Sequence, residues 1–139
     1  MSASTAPRDT RAREGKRLSY KVGQVKINKG TAVYVRVADG YAYPGRSNTS
    51  ITDVFVGVAY ETVDNSGGTA GAVNIQVVKT GVHYFLLASA AQTTVGQPVY
   101  FSDDQTVTTS SGTTVVLGGY ITDVPDTAGV NVRIDRAVN

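Results

Sequence analysis

The stretch Val54-Phe-Val-Gly57-Val-Ala-Tyr-Glu-Thr-Val-Asp64-Asn-Ser-Gly-Gly-Thr-Ala-Gly71-Ala-Val73-Asn-Ile-Gln-Val77-Val-Lys-Thr80-Gly-Val82-His-Tyr-Phe-Leu-Leu87 decides the fold class. Two apolar runs flank a loop of Asp, Asn, Ser, Thr and Gly from Asp64 to Gly71. Runs rich in Val, Ile, Phe and Tyr, bounded by such residues, read as strands joined by a hairpin loop. In the second run Val73, Ile75 and Val77 point one way, and Asn74 and Gln76 the other. That period of two marks a half-buried strand. The third run, Val82 to Leu87, is apolar at nearly every position, so it is expected to be covered on both faces.

The pattern returns near the C-terminus. Leu117-Gly118 echoes Val56-Gly57, and Val130-Asn131-Val132-Arg133-Ile134 echoes Val73-Asn74-Ile75-Gln76-Val77. Two copies are too few for a solenoid, which needs at least three repeats to bury a core. The echo therefore predicts two related hairpins within one small barrel or sandwich.

Working outward, the whole chain fits that class. Its 139 residues suffice for one domain with a real core. Charged residues are only 17%, there are 15 glycines, and no long segment has helical apolar periodicity. This is an all-β composition. The absence of Cys removes disulfides and thiolate metal sites. No apolar run approaches the ~20 residues of a membrane-spanning helix, so no membrane partner is expected. Further strands are predicted at Leu18–Val22, Gln24–Ile27, Thr31–Val37, Pro98–Phe101, Gln105–Thr109 and Thr114–Ile121, with one helical turn within Ala88–Thr94. About ten short strands result, forming a small β-barrel-like domain over residues 18–139 behind an extended basic arm, residues 1–17.

Charge separates arm from body. Residues 1–30 hold eight Lys/Arg against two Asp/Glu, a net of +6, whereas residues 31–139 hold five against nine, a net of −4. The arm offers only Ala3, Ala6, Pro7 and Ala12 as apolar groups after Met1, so alone it is expected to be disordered. Ordering it costs ~1–2 kcal/mol per residue, more than those side chains can offset. It is therefore expected to lie along a partner through charge and backbone pairing. Arg8, Arg11, Arg13, Lys16 and Arg17 are its candidate contact residues. Such a cluster suits phosphate or an acidic protein surface. The arm has no aromatic residue before Tyr20 on which a base could stack, which favours protein.

The remaining candidates read as structure. His83 is the only histidine and has no Cys or second His to join it in a metal site. The carboxylates Asp39, Asp53, Asp64, Asp103, Asp104, Asp123 and Asp126 lie in or beside segments rich in Gly, Asn, Ser or Pro, where Asp makes turns. The Gly-rich loop Asn65–Gly71 has no Gly-Lys-Ser/Thr and opens no helix, so it lacks the features of a phosphate cradle. No serine sits in a Gly-x-Ser-x-Gly elbow. No catalytic residue, metal or cofactor is expected. Most tyrosines are assigned to the core or to strand pairs, with Tyr41 and Tyr43, beside Pro44-Gly45, the best interface aromatics.

The run Phe55-Val56-Gly57-Val58-Ala59-Tyr60-Glu61-Thr62-Val63-Asp64-Asn65, followed by Val73–Val77, Gly81-Val82, Gly96-Gln97-Pro98-Val99-Tyr100-Phe101, Leu117-Gly118 and Val130–Ile134, resembles the small capsid-decoration (cement) proteins of tailed bacteriophages. The resemblance spans about Gly23 to Ile134. It implies a β-tulip domain that forms homotrimers on the outer surface of an icosahedral head and clamps neighbouring major capsid proteins. It further implies a structural virion protein made in the host cytoplasm, without catalysis or cofactor. A site outside the shell argues against nucleic acid as the arm's ligand. Two rival readings remain: another virion module, a head-fibre base or tail component binding a host surface glycan, and a small β-barrel enzyme using Asp103, Asp104 or Asp123.

Overall fold

The computed structural model describes residues 6, 16–47, 53–110 and 116–135. Its strands are β1 (Arg17–Lys21), β2 (Lys26–Ile27), β3 (Ala32–Arg36), β4 (Ala42–Pro44), β5 (Asp53–Ala59), β6 (Val63–Asp64), β7 (Asn74–Val78), β8 (Val82–Leu86), β9 (Pro98–Phe101), β10 (Val107–Thr108), β11 (Leu117–Asp123) and β12 (Gly129–Arg133). A 3-10 turn spans Gln92–Thr94. The domain is all-β, as its composition requires.

The strands form two five-stranded sheets, ordered β1-β7-β5-β3-β4 and β8-β12-β11-β9-β10, and a small β2-β6 ribbon. The two orders are the same order: β1, β7, β5, β3 and β4 correspond to β8, β12, β11, β9 and β10. Registers correspond too. Val58 faces Val78 and Ala59 faces Val77, as Tyr120 faces Arg133 and Ile121 faces Val132. Loop hydrogen bonds recur as well. Ala59 N–H donates to Thr31 O and Gly30 N–H to Ala59 O, matching Ile121 N–H to Gln97 O and Gly96 N–H to Ile121 O. Gly30 and Gly96 turn with the same left-handed φ, 83° and 87°. The chain is thus two copies of one five-stranded unit. The echo read from sequence is real, but its alignment shifts. Gly57 matches Gly119 rather than Gly118, and Ile75-Gln76-Val77 matches Val130-Asn131-Val132. Sequence similarity alone could not locate the bulge that sets this register.

The edge strands of each sheet meet at one parallel bridge, Val22 with Ala42 and Leu86 with Thr106. Among the described residues neither sheet closes into a barrel. The concave face of the first sheet holds Val22, Val33, Ala42, Val56, Ala59, Ile75 and Val77, and Ile27 of the ribbon plugs it. That ribbon exists because the β5–β7 connection carries an insertion. Residues 60–73 stand where the second unit has only 124–128. Asn65 ties the insertion down, its Nδ2 donating to the carbonyls of Val22, Gly23 and Thr69 at 3.3, 3.0 and 3.0 Å. The Gly-rich loop is a connector, as the sequence indicated.

The second unit lacks that plug and uses the first unit instead. Phe85, Val99, Phe101, Ile121, Val130 and Val132 on its concave face share one core with Ala32, Tyr34, Phe55 and Val58 from the outer face of the first sheet. Phe55 and Phe101 lie 4.8 Å apart between ring centroids, and Phe85 meets Phe101 edge-on at 5.1 Å. The first sheet is therefore a middle layer. Ala32, Val33 and Tyr34 on β3 are all fully buried despite their alternation. The reverse holds for β8. Expected to be covered on both faces, it is an edge strand in which only Phe85 is buried, because its outer face has no sheet against it.

Candidate functional site

Two surface regions bear on function. The first is the root of the arm. Lys16 and Arg17 enter β1, where Lys79 N–H donates to Lys16 O at 2.8 Å and Arg17 pairs with Val78. Their side chains, with Tyr60, Val78 and Thr80, line a groove of about 490 Å³. The Arg17 guanidinium stacks over the Tyr60 ring at 4.3 Å. Behind the groove, Lys79 Nζ donates to Tyr20 Oη at 2.6 Å. Stacking fixes the guanidinium plane and leaves its edge donors free for a carboxylate. Among the described residues, Arg46 and Arg133 already pair with Asp53 and Asp135 at 2.9 and 2.8 Å, whereas neither Lys16 nor Arg17 has a carboxylate in reach. The groove can therefore take a carboxylate through charge-assisted hydrogen bonds, with Tyr60 and Val78 as an apolar wall. Arg8, Arg11 and Arg13 lie outside the described residues.

The second region holds the exposed aromatics. Tyr41 and Tyr43 are both half-buried and engaged internally. Tyr43 Oη donates to Asp39 at 2.6 Å, Arg36 stacks on its ring at 3.7 Å, and Gly23 leaves it room. The Tyr43 hydroxyl holds the Asp39 carboxyl below its ordinary range, and the same bond raises the Tyr43 phenol. Tyr41 rests on Gly71. The most exposed aromatics are instead Tyr60, Tyr84 and Tyr120, which the sequence reading assigned to core or strand pairs. Period-two patterning marks two faces of a strand but not which face a second sheet covers.

Asp39, Asp64, Asp103 and Asp126 behave as turn-makers, whereas Asp53, also read as a turn residue, lies buried in β5 and pairs with Arg46. Asp103 Oδ1 accepts from the Gln105 and Thr106 N–H groups at 2.9 and 2.8 Å. Asp126 Oδ1 accepts from the Ala128 and Gly129 N–H groups, both at 2.9 Å. Asp123 Oδ2 accepts from Asn131 Nδ2 at 2.8 Å. Among the described residues no three His, Cys, Asp or Glu side chains stand together as metal ligands would. His83 Nε2 lies 3.1 Å from the Thr80 carbonyl. What the surface offers is binding chemistry, cations and tyrosines on a stiff β frame.

The family model for phage cement proteins matches residues 12–136. The chain belongs to the phage cement protein family. As a cement protein it is a structural component of the virion capsid, whose role is to stabilise the shell. The match takes in Lys16, Arg17, both five-stranded units and the ribbon. It also reaches past the start of the span, Gly23 to Ile134, over which the sequence resembles capsid-decoration proteins. No curated protein and no solved structure matches the chain.

Proposed function

We propose that this cement protein binds the outer surface of an icosahedral phage head as a homotrimer. There it bridges neighbouring major capsid proteins, with the basic arm laid along an acidic capsid patch. It is not an enzyme in this reading. The observation that carries the proposal is the cationic groove at the arm root, where Lys16 and Arg17 stand against Tyr60 with no carboxylate in reach among the described residues, at the start of the basic segment. A buried arm needs charge neutralised along its length, and the groove continues that chemistry onto the body. Arg8, Arg11 and Arg13 extend it, and the uncovered parts of Tyr41 and Tyr43 offer further contact outside the groove. Three such arms on one trimer turn modest contacts into avidity.

Sedimentation with expanded heads tests this reading. The full chain co-sediments, and a chain lacking residues 1–15, which leaves β1 intact, occupies heads weakly. Full occupancy by the shortened chain would refute the role of the arm. Binding to glycans in place of heads would move the protein to another part of the virion.

A further inference from the structure

The outer face of the second unit gathers four of the eight large hydrophobic residues exposed among the described residues. Val82, Tyr84 and Leu86 on β8 are 51, 43 and 38% exposed, and Tyr120 on β11 is 42% exposed. All four lie on one side of the sheet. Val82, Arg133 and Tyr120 form one cross-strand row, and Tyr84 pairs with Asn131 and Leu86 with Gly129 in the rows beside it. Edge strands normally carry charge that discourages further contact. The first unit supplies the comparison within the same chain. At the positions equivalent to Val82, Tyr84 and Leu86, β1 carries Arg17, Ser19 and Lys21. One edge is guarded by two cations and its structural twin has none.

A second observation points the same way. The surface of the first unit that corresponds to this face is a protein contact already. Val58 and Phe55, the counterparts of Tyr120 and Leu117, are buried under the second unit. This surface of the five-stranded unit is thus one that another sheet covers, and in the second unit that cover is missing.

We propose that this face, centred on Leu86, Tyr84 and Tyr120, is the contact with a second copy of this chain. The proposal rests on the homotrimer reading and names the surface that makes the trimer. Charge selects the occupant. Arg133 sits within the face, paired with Asp135 at 2.8 Å. Asp126 accepts from Tyr84 Oη at 3.0 Å, and Asp123 from Asn131. One cation among three carboxylates can meet its own copy, each Arg133 reaching a neighbour's carboxylate. The contact must also close on itself. A copy has no open concave face to offer, since the ribbon plugs one and the first unit fills the other. Repetition of the internal stacking, which would run on as an open stack, is therefore blocked, as a closed ring requires.

The test uses the full chain and light scattering, with circular dichroism to check the fold. Wild type runs as an oligomer. Leu86→Lys and Val82→Lys run as folded monomers, while Ser19→Lys, at the matching place in β1, stays oligomeric. Should the lysine variants fail to fold, single cysteines decide, because the chain has none of its own. A thiol at Leu86→Cys labels about tenfold or more slowly than one at Ser19→Cys if contact with a neighbour protects it. An oligomeric Leu86→Lys, or equal labelling rates, overturns the proposed surface but leaves the homotrimer standing. A monomeric wild type overturns both. Loss of head binding by a monomeric Leu86→Lys, with wild type also monomeric, assigns the face to the capsid protein instead.

Discussion

Gly57 and Gly119 hold the same bulge in two copies of one sheet. Each has φ in the left-handed half of the map, 140° and 152°. A Cβ on Gly57 would lie 2.3 Å from Val78 O, and one on Gly119 2.1 Å from Arg133 O. Each sits one residue past a register slip against the neighbouring strand, β3 for Gly57 and β9 for Gly119. A bulge bends and twists its strand, so this pair sets the curvature of both units. Gly57→Ala and Gly119→Ala should each cost at least ~1–3 kcal/mol, since strain at such a backbone position adds to the clash. Urea unfolding of the two variants checks this. A loss at only one site would contradict the equivalence.

Phe101 links the two units through Phe55 and Phe85. Phe101→Ala should lower stability by ~3–5 kcal/mol, the usual cost of emptying a buried phenylalanine site. Because both units share that core, they should still unfold in one transition. A second transition in calorimetry would show that the units fold separately.

Asn65 offers only its amide hydrogens to three carbonyl oxygens. Asn65→Asp replaces a donor by a buried acceptor facing acceptors. A loss of ~1–3 kcal/mol is expected, the penalty for an unsatisfied buried polar group, with protease cutting appearing first in residues 60–73.

Asp104 gives a pH dependence. Burial, and then the charge of Asp103, push its carboxyl up from the ordinary value. A folded-state pKa above the unfolded one means that the ionised group costs the native state stability at neutral pH. That cost fades as pH falls through the folded pKa towards the unfolded value. Asp104→Asn should thus stabilise at pH 7, by well under ~1 kcal/mol because the site is largely screened by solvent. The gain should vanish below about pH 4, the ordinary carboxylate range. A gain that persists in acid would refute the electrostatic cause.

At the arm root, Lys16→Ala and Arg17→Ala should weaken head binding without changing the thermal midpoint by more than a degree or two, since exposed cations add little to folding. Added salt should reduce wild-type binding more steeply than that of the double variant. Equal salt slopes in a sedimentation series would place the charged contact elsewhere.

The sequence by itself determined the strand chemistry. Alternation at Val73–Val77 and Val130–Ile134, turn residues between runs, and the concentration of cations before Gly30 are local properties. Local properties are legible without coordinates. It also showed that a pattern recurs, and that the Gly-rich loop lacks the features of a phosphate site. Tertiary structure decided the rest, because burial depends on what lies across from a face. Val82–Leu87 reads as a doubly covered strand and is a half-bare edge, whereas Ala32–Tyr34 reads as alternating and is buried throughout. The difference is the stacking order of two like units, the first covered on both faces and the second on one. No periodicity within a strand encodes that order, and it leaves Tyr84, Leu86 and Tyr120 facing outward.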